Sequence, residues 1–156
     1  MIAIHVDGDA CPVKDEVIRV ATRHKLTVYI VSNRLIGRSD EPLVKRIVVA
    51  DTPDAADDWI AEAVRSFDIV VTNDIPLAAR AVAKNALVLK PNGKPLDKDS
   101  IGMAVAVRDL NMHLRDTGQI SGGPGAFTKQ DRSRFLDKLE TLVQAAKRNV
   151  AATPRA

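Results

Sequence analysis

The chain has 156 residues, of which 46% are hydrophobic and 28% are charged, and its formal net charge is +3. This composition excludes a disordered chain, and no apolar run approaches the roughly 20 residues that span a bilayer. The length predicts one domain over residues 1–150, followed by a frayed tail over 151–156. The chain has a single cysteine and begins without a signal-like segment, so we expect a cytoplasmic protein without disulfides that does not enter a membrane.

Five short apolar runs alternate with segments of helical period. Each run is continuous, as in strands that helices cover on both faces. The runs are residues 2–6, 27–31, 47–50, 69–72 and 86–89. The resulting order βαββαβαβ, with mostly helical connections, favours a parallel sheet. We therefore expect the α/β class, as a three-layer α/β/α sandwich around a mostly parallel five-stranded sheet, with further helices at the C-terminus.

The helix before the fourth run has an apolar face that includes Trp59, Ile60 and Ala63. Thr52 is suited to cap this helix, and Pro53 is suited to its first position, where a missing N–H costs nothing. The sequence therefore predicts that the helix opens at Thr52 and Pro53.

The C-terminal third contains a turn, two helices and a loop. The turn over residues 90–95 leads to a helix expected from about residue 98 to residue 116. A glycine-rich loop follows over residues 118–125. The last helix is expected to begin at Thr128, because Thr128 and Asp131 have the spacing of a capping box.

Acidic residues are concentrated in the centre of the chain. Between Asp51 and Asp74 there are seven acids and a single base, Arg65. Basic residues flank this segment on both sides, among them Arg34, Arg38, Lys45, Arg46, Lys90, Lys94, Lys129 and Arg132. An acidic centre between basic segments suits a metal site with a phosphate substrate, although ordinary solvated surfaces explain the charge pattern equally well.

Carboxylates directly follow two of the predicted strands. Asp7 and Asp9 come after the first run, and Asp74 comes after the fourth. Ligands of doubly wound sheets bind beyond the carboxyl ends of the strands, so these acids meet if the first and fourth strands are neighbours. Asp57 and Asp58, at the start of the helix that leads to the fourth strand, can complete the ring.

Carboxylates held together repel one another unless a cation lies between them. Oxygen ligands select Mg²⁺ or Mn²⁺, and such an ion supports phosphodiester hydrolysis. Single acids also have a structural interpretation, because a carboxylate near a helix N-terminus stabilises the helix by about 0.3 to 1 kcal/mol. That interpretation applies to Asp54, Asp57 and Asp58 near a helix start and to Asp9 and Asp74 as caps, whereas Asp7 at the end of a buried strand is harder to explain in this way.

Five stretches of the chain closely resemble the YaiI/YqxD family of uncharacterised bacterial proteins. They are Asp7-Gly8-Asp9-Ala10-Cys11-Pro12-Val13, residues 54–60, residues 72–78, Arg108-Asp109-Leu110 and Gly122-Gly123-Pro124. The family is grouped by similarity with PIN-like domains, most of which are Mg²⁺- or Mn²⁺-dependent ribonucleases with acids at the carboxyl edge of the sheet. The resemblance implies a PIN-like fold, a Mg²⁺ or Mn²⁺ cofactor, and RNA as the partner.

The acids of the PIN-like pattern fall on particular residues of this chain. The acid after the first strand falls on Asp7, and the acid that opens the helix before the fourth strand falls on Asp57. The T-x-D sequence after the fourth strand falls on Thr72 and Asp74. The resemblance thus implies Asp7, Asp57 and Asp74 as catalytic acids and metal ligands. Asp9, which belongs to the narrower family, and Asp58 are the further predicted ligands.

Candidate contacts to the substrate are Arg108, Gly122, Gly123, Lys129 and Arg132. The basic side chains suit phosphate groups, and the N–H groups of the glycine-rich loop either cradle a phosphate or only turn the chain. Aromatic residues make up 3% of the sequence, so we expect contacts to the RNA backbone rather than base stacking.

Two other functions remain open. The Asp7-x-Asp9 pattern resembles the nucleophile and general acid of haloacid-dehalogenase-like phosphatases, although Cys11 stands where that family has Thr or Val. The second alternative is a non-catalytic RNA-binding or interaction module in which the acids bind metal only for stability. A cysteine-based phosphatase is disfavoured because Val17 stands six residues after Cys11, where an arginine is needed. We interpret Cys11 and His5 as packed structural residues.

Overall fold

The computed structural model of the chain describes residues 2–9, 11–34, 41–118 and 126–152. Its strands are β1 (Ala3–Asp7), β2 (Thr27–Ser32), β3 (Val44–Val48), β4 (Ile69–Val71), β5 (Leu87–Leu89) and β6 (Pro95–Leu96). Its helices are α1 (Lys14–His24), α2 (Ala55–Ala63), α3 (Ile75–Ala83), α4 (Ile101–Asp116) and α5 (Lys129–Ala152).

The strands form one sheet in the order β3-β2-β1-β4-β5-β6. All neighbouring pairs are parallel except β5 and β6, which are antiparallel. β1 lies beside β4, with Ile4 opposite Ile69 and Val6 opposite Val71. The strand order reverses at this pair, and such a reversal opens a crevice at the carboxyl ends of the strands. The expected α/β class is confirmed, and the condition under which the acids after the first and fourth strands meet, that these strands are neighbours, is fulfilled.

Two apolar clusters lie on opposite faces of the sheet. On one face, Ile4 of β1 packs with α1 and with Phe135 of α5. On the other face, Val70 of β4 packs with side chains of α2 and α3, such as Ile60. Burying one such side chain stabilises the fold by about 1.5 to 3 kcal/mol. Helix α4 packs outside α3 and has no fully buried residue. In the described part of the chain, no helix has the length and apolarity that crossing a bilayer requires.

The sheet has six strands, whereas the sequence predicts five. The extra strand, β6, pairs with Val88 and Leu89 after a tight turn in which the Gly93 N–H donates to the Lys90 carbonyl at 2.9 Å. Gly93 has a φ of 87°, and an added Cβ would lie 2.7 Å from the backbone of Arg134. A two-residue strand that begins with proline has no apolar run or alternation, so a search for periodicity does not find it.

Two boundaries in the first half differ from the expectation. β3 lies at Val44–Val48, a few residues before the predicted run, because the register with β2 starts at Val28 opposite Val44. The predicted helix start at Thr52 and Pro53 is wrong. Asp54 occupies the N-cap position of α2, and the Ala55 N–H donates to the Thr52 carbonyl at 3.3 Å within the preceding turn.

The C-terminal helices begin with side-chain hydrogen bonds. α4 starts at Ile101, later than expected, because Asp97 Oδ1 accepts hydrogen bonds from the N–H groups of Asp99 and Ser100, each at 2.9 Å, in a turn that precedes the helix. The capping box of α5 is confirmed, since Thr128 and Asp131 each accept a hydrogen bond from the backbone N–H of the other at 3.0 Å.

Candidate functional site

The site begins where β1 and β4 end. Asp7 is the last residue of β1, and Thr72 directly follows β4, so the parallel pairing of these strands brings the two residues together. Thr72 Oγ1 donates to Asp7 Oδ2 at 3.1 Å and accepts the backbone N–H of Asp74 at 2.9 Å. A single buried hydroxyl therefore connects the Asp7 carboxylate to the backbone of Asp74.

Asp74 also caps helix α3. Its Oδ1 accepts the backbone N–H of Leu77 at 2.8 Å, and Pro76 lies in the first turn of the helix. Its second carboxylate oxygen accepts no hydrogen bond from the residues that the structure describes. One oxygen thus stabilises the helix, while the other is available to a ligand.

A small cavity of about 110 Å³ lies at this edge of the sheet. Its lining includes the side chains of Asp7, Asp9, Cys11 and Asp74, together with Pro91. Asp9 is exposed, whereas Asp7 and Asp74 are half-buried. The cavity is therefore open to solvent on the Asp9 side and closed by the sheet on the other.

Gly8 lets the backbone between Asp7 and Asp9 approach β2. Its N–H donates to the Val31 carbonyl at 2.7 Å, which continues the pairing of β1 with β2 beyond Asp7. An added Cβ would lie 3.0 Å from Ile30 Cγ2 and 3.0 Å from the Val31 carbonyl oxygen. An alanine at this position requires these neighbours to shift by a few tenths of an ångström.

The carboxylates of this edge act on one another electrostatically. Burial raises the pKa of Asp7, the hydrogen bond from Thr72 offsets part of this effect, and the charges of Asp74 and Asp9 raise the pKa further. For Asp57, burial and the charges of Asp74 and Asp7 raise the pKa to about 6. Asp57, on α2, is not among the described residues that line the cavity, so its link to Asp7 and Asp74 is electrostatic.

The environment of Cys11 disfavours the thiolate form that a nucleophilic cysteine needs. Burial raises the pKa of its thiol, and the charges of Asp7 and Glu16 raise it further. A reactive cysteine needs a lowered pKa, because the thiolate is the nucleophile. We retain the interpretation of Cys11 as a packed residue at the wall of the cavity.

Comparisons with known proteins match nearly the whole chain. The sequence model of the uncharacterised YaiI/YqxD family matches residues 5–145. The chain belongs to the YaiI/YqxD family. A UPF0178 protein of Parvibaculum lavamentivorans is 59% identical over 95% of this chain and 97% of its own length. A UPF0178 protein of Paramagnetospirillum magneticum is 54% identical over 96% of this chain and 99% of its own length. No solved structure matches the chain.

A larger groove of about 710 Å³ lies along α4 in this YaiI/YqxD protein. Asp74 and Pro91 line the acidic cavity, and their sequence neighbours Ile75 and Lys90 line the groove. Along α4 the groove presents basic and apolar side chains, namely Met103, Val107, Arg108, Met112 and Arg115. Arg108, a predicted substrate contact, is therefore part of this groove.

The remaining predicted substrate contacts are Arg132, Lys129, Gly122 and Gly123. Arg132 forms an ion pair with the buried Glu16, donates to the Pro12 carbonyl at 3.3 Å and lies 5.1 Å from the centre of the Phe127 ring. Lys129 is exposed at the start of α5. Gly122 and Gly123 lie outside the described residues, as does Arg38.

Asp58 points to a different partner. Its carboxylate is exposed and accepts a hydrogen bond from Arg80 Nη1 at 2.8 Å.

Within the described ranges, no three His, Cys, Asp or Glu side chains are arranged to hold one metal ion. As the side chains stand, direct binding of a cation would involve at most two of the acids.

Sequence reasoning missed the groove as a continuous surface. It recognised Arg108 singly, but it had no means of placing Lys90 and Ile75 beside it. The signal in the sequence was the number of apolar residues on the polar side of α4, and in the structure the groove residues Met103 and Val107 are 70% and 47% accessible. Exposed apolar residues of this size on one helix mark a binding surface more often than chance placement does.

Proposed function

We propose that this protein is a divalent-metal-dependent phosphodiesterase that cleaves single-stranded RNA. The observation that carries the proposal is that Asp7, Asp9 and Asp74 line one small cavity at the carboxyl edge of the sheet, where neighbouring charges raise the pKa of Asp7 and of Asp57. Acids whose pKa is raised in this way reduce the stability of the fold unless a ligand compensates for the repulsion. A hard cation is the simplest ligand that does so.

Asp7 and Asp74 are the residues that would hold Mg²⁺ or Mn²⁺. Both line the cavity, and Asp74 has a carboxylate oxygen without a hydrogen bond from the described residues. Mg²⁺ commonly takes only one or two carboxylates and keeps several waters, so a pair of acids fits its preference. Asp9, which lines the same cavity, and Asp57, on which the charges of Asp74 and Asp7 act, would add negative charge that favours a cation there. The bound ion would supply a Lewis acid that neutralises charge on a phosphate oxygen.

The protein's own residues would position the reacting groups. Thr72 holds the Asp7 carboxylate through its hydroxyl, and the N-cap contact of Asp74 holds that side chain against α3. In the proposed reaction a water attacks phosphorus and gives a proton to the Asp57 carboxylate that orients it, while the P–O bond to the leaving oxygen breaks and that oxygen takes a proton from solvent. Fixed geometry of this kind is a large part of the catalysis of phosphoryl transfer.

The groove along α4 supports a single-stranded nucleic acid as the substrate. Lys90, Arg108 and Arg115 provide positive charge for successive phosphates, and Met103 and Val107 provide an apolar surface for sugars or bases. The groove contains no aromatic ring among its described lining residues, so stacking specificity is not expected. We expect cleavage with little dependence on sequence.

The proposal is tested with a panel of labelled single-stranded RNA, double-stranded RNA and DNA in Mn²⁺, Mg²⁺ or EDTA. We expect cleavage of single-stranded RNA only with metal, and at least a roughly hundredfold loss in Asp7→Asn, since removing a group that stabilises the transition state costs about 10² to 10³ in rate. Asp137→Asn, a substitution of an exposed acid on α5, is the matched control and is expected to cleave normally.

Three results would contradict the proposal in different ways. Cleavage that Asp7→Asn retains would indicate a contaminating nuclease. Tight RNA binding without cleavage, in every metal, would favour a non-catalytic RNA-binding module. A small phosphorylated substrate that is hydrolysed while RNA is not would favour the haloacid-dehalogenase-like alternative, and beryllofluoride trapping of Asp7 would then separate the two chemistries.

A further inference from the structure

A second cavity, of about 350 Å³, lies at the opposite edge of the sheet. It is lined at the amino ends of the strands by Ala3 and His5 of β1 and by Asp68 just before β4, and Ala63 at the end of α2 closes one side. The acidic cavity shares no lining residue with it among those described. The volume is within the range of small-molecule sites.

One side chain in this cavity has an unsatisfied polar atom. His5 is 1% exposed, and its Nε2 lies 3.1 Å from Asp68 Oδ2. The same carboxylate accepts the backbone N–H groups of Ala3 and Arg65, each at 3.0 Å, which fixes it as an acceptor. His5 Nε2 is therefore the donor of the pair. Nδ1 is buried and has no hydrogen-bond partner among the described residues.

Aromatic rings surround His5 on the cavity side of the sheet. The imidazole stacks on the Tyr29 ring with centres 5.3 Å apart and planes 19° apart, and the Trp59 ring lies 6.5 Å away. Tyr29 and Trp59 are half-buried and contact each other at 5.6 Å. Flat apolar surface beside one buried polar atom is the arrangement that holds a planar ligand in a fixed orientation.

Arg65 adds a positive charge to the lining. Its side chain is exposed, and its guanidinium makes no ion pair with a described residue. Asp68, the nearby carboxylate, already accepts the three donors named above. The charge of Arg65 is thus available to an anionic group of a ligand.

We propose that this cavity binds a planar heteroaromatic anion, with a ring that contacts Tyr29 and Trp59, an N–H that donates to His5 Nδ1, and an anionic group that contacts Arg65. A nucleoside monophosphate has this chemistry. In the neutral His5 that donates through Nε2, Nδ1 is an acceptor, so the ligand must supply the hydrogen. This site is independent of the proposed nuclease reaction and uses none of its residues.

The sequence provides a direct probe, because Trp59 and Tyr29 are the single tryptophan and the single tyrosine of the chain. Adenosine and guanosine 5′-monophosphate are titrated while Trp59 emission is recorded in EDTA, which keeps cations from holding phosphate at the acidic edge. We expect a saturable change with a dissociation constant below about 1 mM. The matching nucleosides should bind several-fold more weakly, and Arg65→Gln should remove that difference.

A cavity-filling variant separates this site from others. Ala63→Leu occupies the cavity without altering His5 or Asp68 and should weaken binding by about tenfold or more. Ala145→Leu, at a half-buried alanine of α5 away from the cavity, and Asp74→Asn, at the other edge, should bind like the wild type. The proposal is overturned if neither nucleotide changes Trp59 emission saturably, or if Ala63→Leu retains full affinity while folded.

Discussion

The two edges of the sheet use aspartate in opposite ways. At the carboxyl edge, Asp7 and Asp57 have raised pKa values, because burial and neighbouring carboxylates oppose their charge. At the amino edge, burial works to raise the pKa of Asp68, but hydrogen bonds from His5, Ala3 and Arg65 outweigh it and the pKa lies below its usual value. The environment, rather than the residue type, therefore determines whether an acid stabilises this fold or strains it.

This difference indicates which acids serve the fold and which serve a ligand. Asp68 has donors for both of its oxygens, so its folded environment is complete without any further partner. Asp7 has the Thr72 hydroxyl and the backbone N–H of Asp9 as donors, and it faces two other acids. Substitutions that neutralise the charge should thus have opposite effects on stability at the two edges.

The largest effect on stability is expected for Asp68→Asn. Its amide has one acceptor oxygen for the donors that the carboxylate satisfies, so buried N–H groups lose their partners, and we expect a loss of about 3 kcal/mol in the free energy of unfolding. Because the folded pKa of Asp68 is lowered, its contribution is present above the unfolded pKa and disappears as the pH falls. Urea unfolding at neutral and acidic pH measures both effects, with Asp137→Asn as the exposed control. A loss under about 0.5 kcal/mol would show that Asp68 is not the structural acid described here.

Two substitutions of Asp74 separate its role as the N-cap of α3 from the repulsive effect of its charge. Asparagine caps a helix about as well as aspartate, whereas alanine costs about 1 kcal/mol at such a position. In EDTA, Asp74→Asn should therefore melt at or above the wild-type temperature because one repelling charge is gone, and Asp74→Ala should melt below Asp74→Asn. Equal melting temperatures of Asp74→Asn and Asp74→Ala would contradict the helix-capping role of Asp74. A melting temperature of Asp74→Asn well below that of the wild type would contradict the repulsion.

The pH dependence of stability should show the strain at the carboxyl edge. Asp57 has a folded pKa raised from 3.8 to about 6, so the folded state binds its proton more tightly and loses stability as the pH rises through this window. Solvent screens this half-exposed group, and we expect a change of at most about 1 kcal/mol. As the pH rises through this window in EDTA, the melting temperature of Asp57→Asn should decline less than that of the wild type. An identical decline in both would place the titrating group elsewhere.

The smallest expected effect concerns RNA binding. If Arg108 contacts a phosphate, Arg108→Gln should lower the slope of log affinity against log salt by about 0.7, the value for one contact to a single strand. Arg148→Gln, at an exposed position near the end of α5, removes the same charge and should leave the slope unchanged. Fluorescence anisotropy with a short labelled RNA at several salt concentrations gives both slopes. The same decrease in both variants would indicate a general charge effect and no specific groove.

The sequence predicted those parts of the molecule that depend on local patterns. Continuous apolar runs located five strands, and the acids after the first and fourth runs lie at the carboxyl edge because parallel strands end on the same side. The pairing of His5 with Asp68 joins residues 63 positions apart and has no local signal, so it could not be predicted. Strand β6 and the groove along α4 were missed for a similar reason, since both depend on how the chain folds back on itself.

The most direct test of the central claim is Mn²⁺ binding, measured by the loss of the free-ion signal in electron paramagnetic resonance. We expect the wild type and Asp137→Asn to bind Mn²⁺ with the same affinity, and Asp7→Asn and Asp74→Asn to bind it at least about tenfold more weakly. Wild-type affinity in both edge variants, with the fold intact, would contradict the assignment of the carboxyl edge as a cation site.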